Sequence, residues 1–195
     1  AMTAWPVALT CGDPAGSGPE IAVAAWRALG AELPFFWIGD PAHLPAETPQ
    51  VEITAPDEAG AAAAQGLPVL PHPFAAPATP GRPDPANAAG VISAIERGVE
   101  LVQTGTACAL TPAPINKKAL IDGAGFAFPG HTEYLAALAG TDRVVMMLAC
   151  EQLRVVPTTI HIPLDQVATQ LTASLLTDTL LITHAALRKQ FGIRT

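Results

Sequence analysis

The chain has 195 residues, half of them apolar, with 17 acidic against 10 basic side chains and a formal net charge of -7. That is ample material for a buried core, and with no Lys/Arg cluster anywhere it excludes a basic nucleic-acid surface; a small anionic ligand stays open, because a few local cations can serve one. The three cysteines, Cys11, Cys108 and Cys150, are far apart and form no C-x-x-C, so neither a zinc knuckle nor a disulfide framework is indicated, and a reducing, cytoplasmic setting is expected.

The first residues show no charged segment leading into a long apolar one, so no signal peptide is read there. Trp5–Cys11 is a short apolar run closed by Gly-Asp-Pro and predicts a strand. Pro19–Leu29 has helical spacing, with Gly18 at the cap position, Pro19 in the first turn and Glu20 facing the positive end of the dipole. Pro34–Asp40 is the next strand and Val51–Thr54 a weaker one. Residues 59–85 are dominated by alanine, proline and glycine and read as irregular surface chain around one short strand at Leu67–Leu70. The longest uncharged stretch, Ala59–Gly81, contains five prolines and cannot form a membrane helix, so a soluble protein is expected.

Ala86–Thr104 carries the strongest helical pattern: Val91, Ile95, Val99 and Val102 recur at steps of three and four, and Glu96, Arg97 and Glu100 take the other face. Ala107–Thr111 predicts a strand, and Asn116 caps a short helix through Leu120. Further elements follow at Thr132–Ala139, Val144–Ala149 and Leu153–Thr159, with helices from Leu164 and Ser174. Strands alternating with helices predict an α/β fold whose mainly parallel sheet is covered by helices on both faces, with Trp5–Cys11 and Ala107–Thr111 in its interior.

Four motifs carry candidate chemistry. Gly12-Asp13-Pro14-Ala15-Gly16-Ser17-Gly18-Pro19-Glu20 joins a strand to a helix, where glycines let backbone N–H groups approach an anion; its spacing matches neither the dinucleotide fingerprint nor the P-loop, and a tight structural turn is the other reading. Thr111-Pro112-Ala113-Pro114-Ile115-Asn116-Lys117 presents Asn116 and Lys117 at a strand's C-terminal end, where open α/β sheets bind ligands and where Lys117 can hold a phosphate or carboxylate; a solvated lysine is the alternative. Phe128-Pro129-Gly130-His131-Thr132-Glu133-Tyr134 offers His131 and Thr132 to an anion at a helix start, unless Thr132 is only a cap. Thr158-Thr159-Ile160-His161-Ile162-Pro163-Leu164 sets His161 at the end of a strand before a proline-opened helix, a fitting position for a metal ligand, although no second histidine stands at i+4. His43, His72 and His184 have no such context and are read as structural.

Taken together and in this order, G-D-P-A-G-x-G-P-E, T-x-A-P-I-N-K, F-P-G-H-T-E and T-x-H-I-P-L resemble the 4-hydroxythreonine-4-phosphate dehydrogenase family, which makes the aminoketone phosphate precursor of pyridoxal phosphate. The resemblance runs from about Val7 to Ile193. It implies a homodimer of two-lobed α/β subunits similar to the isocitrate and isopropylmalate dehydrogenases, with a first lobe over 1–127 and the beginning of a second, incomplete one over 128–195. It also implies NAD and a divalent metal (zinc, magnesium or cobalt) acting in an interlobe cleft on a phosphorylated hydroxy acid, by oxidation followed by β-decarboxylation.

By position, the resemblance makes His131 and Thr132 substrate-binding residues and His161 a metal ligand. Asp13, Asn116 and Lys117 become cleft residues without assigned roles, and no catalytic residue is identified. Ser17 departs from the isoleucine usual in the family. The family continues beyond the equivalent of Phe191-Gly192-Ile193 with further metal histidines and with a lysine, an asparagine and an arginine that hold the substrate. The chain is therefore expected to be the N-terminal portion of the enzyme and inactive alone. Two other readings remain at this point: a paralogue acting on threonate or erythronate 4-phosphate, and a non-catalytic folded fragment or dimerisation module.

Overall fold

A computed structural model describes residues 5–193. The chain divides into two compact units, Ala1–His131 and Thr132–Thr195. The first is built on five parallel strands, β1 (Val7–Thr10), β2 (Phe35–Gly39), β3 (Gln50–Glu52), β4 (Leu67–Pro71) and β5 (Ala109–Pro112), in the order β3-β4-β2-β1-β5. Its core gathers on β2 and β4, where Phe36, Trp37, Ile38, Leu67 and Val69 are fully buried.

Helices cover both faces. Alternation along β1 turns Val7 and Leu9 toward α1 (Gly18–Leu29), with whose Ile21, Ala25 and Leu29 they line one groove. On the other face α3 (Ala88–Gln103) buries Val91, Ala94, Ile95 and Gly98. It approaches so closely that a Cβ at Gly98 would stand 2.6 Å from Leu110 Cδ1. Proline in the first turn and Glu20 start α1, and Arg27 suits its C-terminal end.

Several expectations are corrected. In the region 59–85 the strand expected at Leu67–Leu70 is present as β4, but it lies inside the sheet between β3 and β2 and not in surface chain, and the one-turn helix α2 (Ala59–Ala62) precedes it. Prolines 68 and 71 disguise its interior position, since a proline gives no N–H to a ladder, but here burial of Leu67, Val69 and Leu70 outweighs that loss. β5, by contrast, is no interior strand. It pairs only with β1 among the described residues and alternates exposed with half-buried positions. A four-residue apolar run carries no mark separating edge from centre.

The short helix α4 runs from Lys117 to Ala124 and stops at Gly125, whose φ of 63° is the left-handed closure that glycine adopts freely. The second unit contains α5 (His131–Leu138, which begins at the last residue of the first unit), α6 (Val167–Gln170) and α7 (Ala173–Gln190). Its strands shrink to β6 (Leu148–Ala149) and β7 (Arg154–Val155), an exposed antiparallel pair. Among the described residues no helix is long and apolar enough to cross a membrane.

Candidate functional site

Within the first unit, the turns leaving β1 and β5 meet at the C-terminal end of the sheet, the end at which open α/β folds take ligands. Their glycines are explained by packing. Gly12 has a φ of +64°, and a Cβ there would run into the Pro114 carbonyl oxygen and stand 2.8 Å from Ala113 C. A Cβ at Gly18 would strike the Cys11 carbonyl and crowd the Ala113 methyl at 3.2 Å. The open sides of Gly12 and Gly18 are thus filled by protein, and packing accounts for these two glycines.

Asp13 is buried in that turn and fully engaged through its backbone. Its N–H donates to Pro114 O at 2.9 Å, its carbonyl accepts from Gly16 N at 3.0 Å, and its Oδ1 accepts from Ala15 N at 2.9 Å. It faces a corner shared with Asp84, Asn87, Asn116 and Leu120 that admits about one water molecule. Asp84 and Asn87 were not singled out in the sequence. The available signal was Asp84-Pro85 before the strongest helix, and Asp84 indeed accepts from Ala86 N at 2.9 Å. Next to the turn, burial pushes the Cys11 thiol up to about 12, with the charge of Asp13 adding to it against a backbone hydrogen bond. The thiol is inert as a nucleophile.

Asn116 caps α4 as its position predicts: its side-chain oxygen accepts from Ala119 N at 3.1 Å. Lys117 and Lys118 then occupy the first turn with no acidic residue beside them, against the helix dipole. Lys118 is relieved by Asp122 one turn on, at 2.6 Å. Lys117 is exposed and enters no ion pair among the described residues.

His131 is half-buried, and its Nε2 is enclosed without a hydrogen-bond partner among the described residues. Burial holds its pKa below the ordinary histidine value, so the imidazole is neutral at neutral pH. Thr132 does not precede the helix as a cap; α5 already begins at His131, and Thr132 stands in its first turn. The position expected for His161 is also corrected. β7 ends at Val155, and His161 lies in an exposed bend with a φ of 58°, before a short turn opened at Pro163. Among the described residues no group of three or more His, Cys, Asp or Glu side chains could hold a metal ion, so the donors present do not fit one.

His43 and His72 have structural surroundings. Each meets the ring of Phe74 edge-on, at 5.0 and 6.0 Å between centroids. His43 Nε2 donates to Ala76 O at 3.1 Å, which the carbonyl can only accept, and Asn87 Oδ1 holds the N–H of the same residue at 2.9 Å. His72 Nε2 bonds Ser93 Oγ at 2.8 Å. His184 is exposed on α7.

Known proteins resemble this chain over nearly its whole length. The family model described as "Pyridoxal phosphate biosynthetic protein PdxA" matches residues 32–195. A 4-hydroxythreonine-4-phosphate dehydrogenase of Roseobacter denitrificans is 61% identical over 190 residues, covering 97% of this chain and 58% of that protein. One of Ruegeria sp. is 59% identical over 194 residues, covering 98% and 60%. Among solved structures, the 4-hydroxythreonine-4-phosphate dehydrogenase of Klebsiella pneumoniae superposes with a TM-score of 0.85 at 29% identity, covering 95% of this chain and 60% of that one. The chain thus spans about three fifths of the length of the relatives it matches.

Proposed function

The chain belongs to the pyridoxal phosphate biosynthetic protein PdxA family, and from that membership we propose that the full-length protein is a 4-hydroxythreonine-4-phosphate dehydrogenase. It oxidises its substrate with NAD and releases carbon dioxide on the way to pyridoxal phosphate. The observation that carries this reading is 61% identity to a relative of that name across 97% of the chain. The full-length protein is then a cytoplasmic homodimer of two-lobed subunits, with 1–127 in the first lobe and 128–195 opening the second.

In this reading NAD supplies the hydride acceptor, and no described residue is assigned to hold it. His161 is one ligand of a divalent metal whose other ligands lie elsewhere in the full-length protein. His131 and Thr132 bind the substrate. The enclosed, unpartnered Nε2 of His131 supports this, because a buried polar atom without a partner costs about 1–3 kcal/mol until something pairs with it. Burial keeps the imidazole neutral, and a neutral imidazole still has an N–H to donate to an anionic group. Lys117 holds an anionic group of the substrate. Its charge, set against the dipole of α4 with no carboxylate to relieve it, supports that role.

The test is an assay of the purified full-length protein on 4-hydroxythreonine 4-phosphate beside threonate and erythronate 4-phosphates, following NADH formation. A higher kcat/KM on either sugar-acid phosphate replaces the proposed substrate. In the same protein His131→Ala should lower kcat/KM by about ten- to a hundredfold, the worth of a charge-assisted hydrogen bond. Kinetics within about twofold of wild type remove His131 from the site.

A further inference from the structure

We propose that Asp13 is a positioning residue for Lys117, acting across the sheet through the turn that it closes; this rests on the reading of Lys117 as an anion holder. The two residues are far apart in sequence, yet a short run of hydrogen bonds connects them. Asp13 Oδ1 accepts from Ala15 N at 2.9 Å, which fixes the turn after β1. With the turn fixed, the Asp13 N–H points at Pro114 O and bonds it at 2.9 Å, while Gly12 lets that carbonyl approach to where a Cβ would stand. Ala113 N donates to Thr10 O at 3.1 Å and continues the pairing of β1 with β5.

The Pro114 carbonyl held by Asp13 sets where the chain leaves β5, and Asn116 follows two residues on. Asn116 caps α4 through Ala119 N at 3.1 Å, and Lys117 is the next residue. The Asp13 carboxylate therefore sets the point from which the Lys117 side chain starts, without touching any ligand itself. What matters in Asp13 is an acceptor oxygen at this reach from the backbone; its charge is secondary.

Crossed variants of the full-length protein separate those two properties. Asp13→Asn keeps an acceptor at the same reach and loses the charge; Asp13→Glu keeps the charge and moves the oxygens one methylene away from Ala15 N. We expect D13N to keep KM for 4-hydroxythreonine 4-phosphate within about twofold of wild type, and D13E to raise it about tenfold with kcat changed less. Lys117→Ala should raise KM at least as much, and D13E/K117A should be no worse than K117A alone, because a misplaced lysine cannot be lost twice.

Wild-type KM in D13E, equal damage by D13N and D13E, or effects of D13E and K117A that multiply would each overturn the inference while leaving Lys117 in its role. Unchanged KM in K117A would overturn the reading of Lys117 and this inference together. Should D13E not yield folded protein by circular dichroism, Asp13→Ala replaces it in the same cycle with the same outcomes.

Discussion

Gly12 answers to two constraints at once: a positive φ that favours glycine, and a carbonyl oxygen from the turn after the neighbouring strand β5 lying where a side chain would begin. Gly12→Ala should therefore cost more than a glycine in an open turn such as Gly81, whose surroundings are empty. We expect about 2–4 kcal/mol for Gly12 and about 1 kcal/mol for Gly81, read from urea unfolding of the two alanine variants. Equal losses would mean that Pro114 moves aside freely. The sequence shows Gly12 but not its reason, since the atoms that require it lie about a hundred residues away. His72 offers a second check at this scale. Burial, then the charge of Arg97, holds its pKa below the ordinary value, so the folded state prefers the neutral ring. The stability this brings is complete above the unfolded value of about 6.5 and is lost as pH falls through the lower, folded one. His72→Gln should flatten the fall in Tm below that pH, and a variant that keeps the wild-type slope would move the effect to other groups.

At the scale of elements, legibility follows how local the cause is. α3 could be read because Val91, Ile95, Val99 and Val102 recur at helical steps; in the fold Val91 and Ile95 are buried with Ala94 and Gly98, while Val99 and Val102 are half-buried. α4 could be read from its cap alone: Asn116 does what an asparagine before a helix does, and Asn116→Ala should cost about 1 kcal/mol by thermal or urea unfolding. A loss below a few tenths of that would show the cap to be dispensable. β4 was legible as a strand but not as an interior one, because two prolines mark it as irregular while its burial comes from neighbours such as β2 and α1, which only the fold supplies. β5 was misjudged in the opposite sense. Its residues suit an interior strand, but an interior needs a neighbour on each side, and sequence-local pattern carries no information about neighbours. The second unit was the least legible: Val144–Ala149 and Leu153–Thr159 suggest longer elements by composition, yet only two residues of each form a ladder.

At the scale of the whole molecule, the candidate residues divide between the units. Asp13, Asn116, Lys117 and His131 belong to the first, Thr132 and His161 to the second. The four motifs could be ordered and matched to a family without knowing which of them touch, which is why the family was readable while the geometry was not. The structure joins the first two motifs at the end of the sheet and leaves His161 in an exposed bend, so the metal-binding behaviour of these 195 residues can be argued from ligand number. A catalytic divalent ion needs about three protein ligands to be fixed with a coordination position to spare. His161 stands in no group of three donors among the described residues, and its imidazole alone leaves water to fill the remaining positions. Calorimetric titration of this chain with zinc, after alkylation of the exposed Cys108 and Cys150 that would otherwise compete, should show only weak binding, and His161→Ala should abolish it. Tight one-to-one binding that survives His161→Ala would mean that the metal site is built from other residues, and the role proposed for His161 in the full-length protein would fall with it.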